Sequence, residues 1–128
     1  MTMKENIDIL VVDDDPEARR SIAEMLEMAG YRVSSVTCGA EALEYLQENK
    51  ADLVLCDVLM PEMDGFAVLE NIKREYPWIN VVMVAANGDA SAVRRAFRLG
   101  ADEFITKPFE AQDLGLIIER VGWHLVAE

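Results

Sequence analysis

Two stretches of this chain are apolar at nearly every position, and they constrain the fold more than anything else in it. Leu53-Val54-Leu55-Cys56 shows no polar alternation, and the segment from Ile79 to Ala85 is unbroken from Val81 onward. An alternating strand turns one face to water, whereas a strand without alternation is covered on both faces. Such strands lie inside parallel sheets that carry helices on each side. The rest of the chain fits that frame. Ile7 to Val12 reads as a β-rich first strand, Tyr31 to Val36 as a less apolar second strand suited to a sheet edge, and Asp102 to Thr106 as a short fifth. Between the strands, apolar residues recur at helical spacing. Ala18, Ile22, Met25, Leu26 and Ala29 mark a helix that opens at Pro16, is N-capped by Asp15 and ends at Gly30. Gly39 to Asn49 is a second helix with Ala42, Leu43 and Leu46 inward. Gly65 to Tyr76 is a third with Phe66, Leu69 and Ile72 inward, stopped before Pro77. Ala90 to Leu99 is a fourth, closed by Gly100. Glu110 to about Ala127 is the last, with Leu114, Ile117, Ile118, Val121 and Leu125 on its core stripe. Strand and helix alternate five times. This pattern predicts one parallel sheet with right-handed crossovers and helices on both faces, formed by a single domain over residues 1–128.

Charge narrows the function classes. The chain has 24 acidic and 12 basic side chains and a net charge of −12. Such a surface repels nucleic acid and anionic membranes, so neither is an expected direct partner. No apolar run approaches the roughly 18 residues of a spanning helix, and Met1 to Asn6 lacks the character of a signal peptide. Cys38 and Cys56 have no metal-type spacing and read as reduced thiols, Cys56 buried. A soluble cytoplasmic protein is the expectation.

The chemistry gathers at strand ends. Asp13 and Asp14 follow the first strand, Asp57 ends the third, and Lys107 follows the fifth. In a parallel sheet the carboxyl ends share one edge, which is where open α/β sheets place their ligands. Three crowded carboxylates repel one another and ionise together only when a cation joins them. An all-oxygen donor set suits Mg²⁺, which leans on carboxylates and substrate phosphate. Lys107 would add a second positive charge. Together these groups are equipped to neutralise a phosphoryl group in transfer, with Asp57 as a carboxylate nucleophile. Asp13 and Asp14 also have a plainer reading as acids favouring a helix N-terminus, and Lys107 as an ordinary surface lysine.

Three stretches, in order and at the right spacing, carry a family resemblance. They are Ile9 to Asp15, Asp57-Val58-Leu59-Met60-Pro61-Glu62-Met63-Asp64-Gly65, and Gly100 to Phe109. Over essentially its whole length the chain resembles the receiver domain of bacterial two-component response regulators. The resemblance implies a flavodoxin-like (βα)5 three-layer sandwich with strand order 2-1-3-4-5. It implies that Asp57 accepts a phosphoryl group from a histidine kinase or phosphotransfer protein. It further implies that Asp14 binds Mg²⁺ directly and Asp13 largely through water, and that the Leu59 backbone carbonyl is a further ligand. Lys107 would contact a phosphoryl oxygen, the Lys107-Pro108 bond would be cis, and Phe104 would be the aromatic switch residue. The implied output is altered binding to a downstream protein or attached effector domain. A homodimer through the fourth helix, fifth strand and fifth helix is also open.

One position departs from the family pattern. The end of the fourth strand, where Thr or Ser is usual, is Ala85, and Ala86 also lacks a hydroxyl. A hydrogen bond to a charged group is worth about 1.5–3 kcal/mol. Phosphorylation is therefore expected to survive while the hydroxyl-driven switch is weakened or rebuilt, with the Asn87 amide as a substitute donor. Ala85 also favours a second reading, a degenerate receiver that binds partners independently of phosphorylation. A hydrolase on the same fold lacks a candidate general acid or base, and a nucleotide-binding flavodoxin type lacks a glycine-rich loop after the first strand. Arg94, Arg95 and Arg98 cluster on the fourth helix, either as a solvated face or as a basic partner surface in an acidic chain. His124 reads as structural, and no role is assigned to Trp78 or Trp123.

Overall fold

A computed structural model describes residues 6–86 and 88–122. Its elements are β1 (Asp8–Val12), α1 (Pro16–Met28), β2 (Arg32–Val36), α2 (Gly39–Glu48), β3 (Leu53–Asp57), α3 (Gly65–Glu75), β4 (Asn80–Ala85), α4 (Ala90–Arg98), β5 (Glu103–Thr106) and α5 (Ala111–Val121). All strand pairs are parallel, in the order β2-β1-β3-β4-β5. The unalternating strands β3 and β4 lie inside the sheet, and β2, with its two serines, is an edge.

The sheet divides the core in two. Val54, Cys56, Val81 and Met83 face Ala42, Leu46, Phe66, Leu69 and Ile72 of α2 and α3. Leu53, Leu55, Val82 and Val84 face Ile22 and Leu26 of α1 and Leu114 and Ile118 of α5. Fully burying one such side chain contributes roughly 1.5–3 kcal/mol, so both layers hold the sheet firmly between the helices. Asp15 caps α1 by accepting from the Glu17 N–H, Asp64 caps α3 through Ala67, and Asp89 caps α4 through Ala92.

The helices end one residue short of their sequence-based bounds at Asn49, Tyr76 and Leu99. Each of these is a C-cap whose N–H still bonds back into the last turn. Glu110, expected inside α5, is its N-cap and forms a capping box with Asp113. Ala29, expected on the inward stripe of α1, is that helix's C-cap and is exposed. Gly30 follows with φ 104°, a left-handed conformation that glycine adopts without a Cβ penalty. Asn87, Trp123, His124 and Leu125 lie outside the described residues.

At the amino ends of the strands, Lys73 of α3 forms a clamp. Its Nζ donates to the Ile79 carbonyl at 2.7 Å and to Asp102 Oδ2 at 2.8 Å. The same Asp102 oxygen accepts from the Val81 N–H at 2.8 Å. Three elements, α3, β4 and the start of β5, therefore meet on one half-buried ion pair.

Candidate functional site

The opposite edge of the sheet gathers the residues singled out from the sequence. Asp13 and Asp14 follow directly on β1, Asp57 is the last residue of β3, Ala85 the last of β4, and Lys107 the first after β5. One carboxylate oxygen from each of Asp13, Asp14 and Asp57 falls within a group no more than 4.8 Å across. That spread and an all-oxygen donor set fit a small hard cation such as Mg²⁺. Asp13 is almost wholly buried, at 2% exposure, while Asp14 is open to solvent and Asp57 lies between.

Asp13 is the hub of the arrangement. Its Oδ1 accepts from the Asp15 N–H at 3.0 Å, and its Oδ2 accepts from Lys107 Nζ at 3.1 Å. Arg19 donates to the Asp13 carbonyl at 2.9 Å. Lys107 Nζ lies 3.8 Å from Asp57 Oδ2, so the ammonium stands between the two acids. Burial works against the Lys107 charge. The Asp13 hydrogen bond and the charges of Asp57 and Asp13 outweigh it, and the ammonium is held above its ordinary range. Burial, followed by the negative charge of Asp13, raises the Asp57 carboxyl from 3.8 to about 6, against the pull of Lys107. Burial likewise pushes the Cys56 thiol up, with Asp57 next in effect, and its Sγ donates to the Asp57 carbonyl at 3.5 Å. Cys56 is therefore an inert core thiol, as its sequence context suggests.

The raised Asp57 carboxyl has a measurable sign. Between its unfolded value near 3.8 and its folded value of about 6, the folded protein binds more protons than the unfolded chain. Stability from this group is thus present at low pH and lost as pH rises through that window. Without metal, Asp57→Asn is expected to raise Tm more at neutral pH than near pH 4, and a carbon-detected NMR titration should place Asp57 near 6. A midpoint at the ordinary carboxylate value would show that neither burial nor the charge of Asp13 acts on Asp57 as the structure implies.

The remaining expected positions separate into those gathered at this edge and those beside it. The Lys107-Pro108 bond is cis. The Lys107 N–H donates to the Ala85 carbonyl at 2.7 Å, binding the ends of β4 and β5 together. Leu59 projects its side chain into solvent, at 74% exposure. Phe104 lies opposite Met83 on the α2/α3 side of the sheet, half-buried against that core. Among the described residues no hydroxyl stands at the end of β4. Gly65, read from sequence as the start of the third helix, has a structural role that the sequence did not disclose. A Cβ there would fall 2.1 Å from the Asp57 carbonyl oxygen and 2.8 Å from the Val58 Cα. The Gly65 N–H donates to the Val58 carbonyl at 2.8 Å. The start of α3 therefore lies directly on the backbone of the acidic residue.

Comparison with known proteins gives a consistent answer. The family model for the response regulator receiver domain matches residues 9–119. The chain is 39% identical over 120 residues to the transcriptional regulatory protein ZraR of Escherichia coli (strain K12), covering 94% of this chain and 27% of that protein. It thus spans about a quarter of the length of that relative. Its fold is similar to the Vibrio cholerae chemotaxis protein CheY4, with a TM-score of 0.87 at 28% identity over 90% of this chain and 98% of that one. It is also similar to the signal receiver domain of a signal transduction histidine kinase from Syntrophus aciditrophicus, with a TM-score of 0.84 at 34% identity over 94% and 93% of the two chains.

Proposed function

This chain belongs to the response regulator receiver family, and from that premise we propose that it accepts a phosphoryl group on Asp57 from a histidine kinase or phosphotransfer protein and thereby changes its binding to a downstream protein or attached effector domain. The observation that carries the reading is the juxtaposition of Asp13, Asp14 and Asp57 with the Lys107 ammonium. Asp13, Asp14 and Asp57, with the Leu59 carbonyl, would hold Mg²⁺. When bound, the ion supplies positive charge to the transferring phosphoryl oxygens. An ionised Asp57 oxygen attacks phosphorus, its O–P bond forms as the donor's N–P bond breaks, and the electron pair leaves with the imidazole. Lys107, held by Asp13, faces the phosphoryl oxygens from the β5 side and offsets their charge. Water later returns the carboxylate. The chain is in this sense a switch that processes its own acyl phosphate rather than a turnover enzyme, and residues 1–128 would act as one receiver unit. An apolar groove of about 290 Å³ lies beside Lys107, lined by Ala18, Ile22, Met25, Pro108 and Phe109 among others.

Ala85 supports a second reading, in which the domain keeps the fold and binds partners without being phosphorylated. One experiment decides between the two. The protein is incubated with Mg²⁺ and a small-molecule phosphodonor, and intact mass is measured for the parent and for Asp57→Asn. Gain of one phosphoryl group by the parent and none by the variant is the expected outcome. A parent that gains nothing leaves the constitutive reading standing.

A further inference from the structure

The family's usual hydroxyl at the end of β4 is replaced by Ala85, and the structure offers a different physical connection from Asp57 to α4. It begins at Gly65, where the start of α3 rests on the Asp57 and Val58 backbone with no side chain between them. The next residue, Phe66, is buried at 7% exposure in the first turn of α3. Over its ring, 4.3 Å from the centroid, lies the guanidinium carbon of Arg95 from α4. Arg95 is otherwise an exposed residue in a run of arginines, flanked on the same helix by Arg94 and Arg98. A cation over an aromatic face is attracted by the ring quadrupole, and planar guanidinium stacks there better than ammonium.

We propose that Arg95 is a positioning residue that ties α4 to the phosphoacceptor through Phe66, holding the helix in its resting place until Asp57 is modified. The proposal rests on the phosphoacceptor reading above. Any shift of the Asp57-to-Leu59 backbone on metal and phosphoryl binding presses on Gly65, and Gly65 has no flexible side chain to absorb it. Phe66 moves with the helix it opens, and the Arg95 contact transfers that movement to α4. On this proposal the contact is strained when α3 moves, so that carrying the movement to α4 costs energy and opposes the modified state. By linkage, weakening it tightens binding of a phosphoryl mimic at Asp57.

The test titrates Mg²⁺-loaded protein with beryllofluoride, followed by amide NMR, and measures hydrogen exchange across residues 90–98 with and without the mimic. Arg95→Gln is expected to tighten beryllofluoride about two- to fivefold, the range of an exposed cation–π contact, and to halve the change in α4 exchange that the mimic induces. Arg95→Lys should fall between parent and Arg95→Gln. Phe66→Leu, which keeps apolar bulk and removes the ring, should act in the same direction as Arg95→Gln. Arg94→Gln and Arg98→Gln remove the same charge from the same helix and should leave affinity unchanged. Equal effects from all three glutamine variants would reduce the result to net charge and overturn the proposal, as would an Arg95→Gln variant indistinguishable from the parent. A parent that binds no beryllofluoride at all would instead sink the phosphoacceptor reading, and this inference with it.

Discussion

Asp13→Ala is expected to weaken Mg²⁺ binding by about a hundredfold or more and to reduce Asp57 phosphorylation by a similar factor, since even the outer partners of a metal site typically cost 10–100-fold when removed. The effect is large because one side chain does two jobs. Its carboxylate belongs to the three-acid group, and it also holds Lys107 at 3.1 Å. Without it the ammonium keeps Asp57 as its nearby ion-pair partner, already 3.8 Å away, and would pair with the oxygen that attacks phosphorus in the proposed reaction. Metal loss and a masked nucleophile therefore act together. Calorimetric Mg²⁺ titration and intact mass after treatment with phosphodonor would measure the two effects separately. A variant that keeps parental metal affinity but loses phosphorylation would show that Asp13 serves only to place the lysine.

Gly65→Ala is the second change with a large expected effect. The added methyl would lie 2.1 Å from a backbone carbonyl oxygen, so no side-chain rotation relieves it. Either the start of α3 or the end of β3 must move. Overpacking of a tight site costs about 1–3 kcal/mol, occasionally more, and the backbone contact puts this one at the upper end. We expect a fall in Tm of roughly 10 °C or more together with impaired phosphorylation, because displacing the Asp57 carbonyl moves its carboxylate too. Gly115→Ala on α5 is the control, since a Cβ there meets nothing within 4 Å. Equal melting temperatures for Gly65→Ala and the parent would mean the loop yields at no cost.

Much of this architecture is legible without coordinates, for a physical reason. Strands β3 and β4 are covered on both faces, so their sequences carry a signal that depends on no partner. Asp15 before Pro16 announces a helix start because capping is local chemistry. The common edge follows from parallel topology, and so the meeting of Asp13 and Asp57 with Lys107 is legible too. What stays hidden depends on which atoms touch. Asp13 is buried beside an exposed Asp14, with the Asp15 N–H and Lys107 on its carboxylate and Arg19 on its carbonyl, and two adjacent acids in a sequence look alike. The Arg95–Phe66 contact spans two helices, and helical spacing indicates that Phe66 faces inward without indicating what lies over it. Gly65 reads as a helix start, and the sequence cannot show that its missing Cβ makes room for the Asp57 backbone. The one-residue overshoot at three helix ends comes from the caps: each cap N–H still bonds into the last turn, although Asn49 and Tyr76 have already left helical dihedrals.

The Lys73 clamp gives the domain a mechanical asymmetry. It pins α3, β4 and β5 together at the opposite end of the sheet from Asp57. A body fastened at one end pivots there, and displacement grows with distance from the fulcrum. Small adjustments around Asp57 act at the long end of that lever, where α4 begins. The clamp should therefore set the stiffness against which the domain responds, so that on the proposed reading an ion pair remote from Asp57 tunes how far α4 moves.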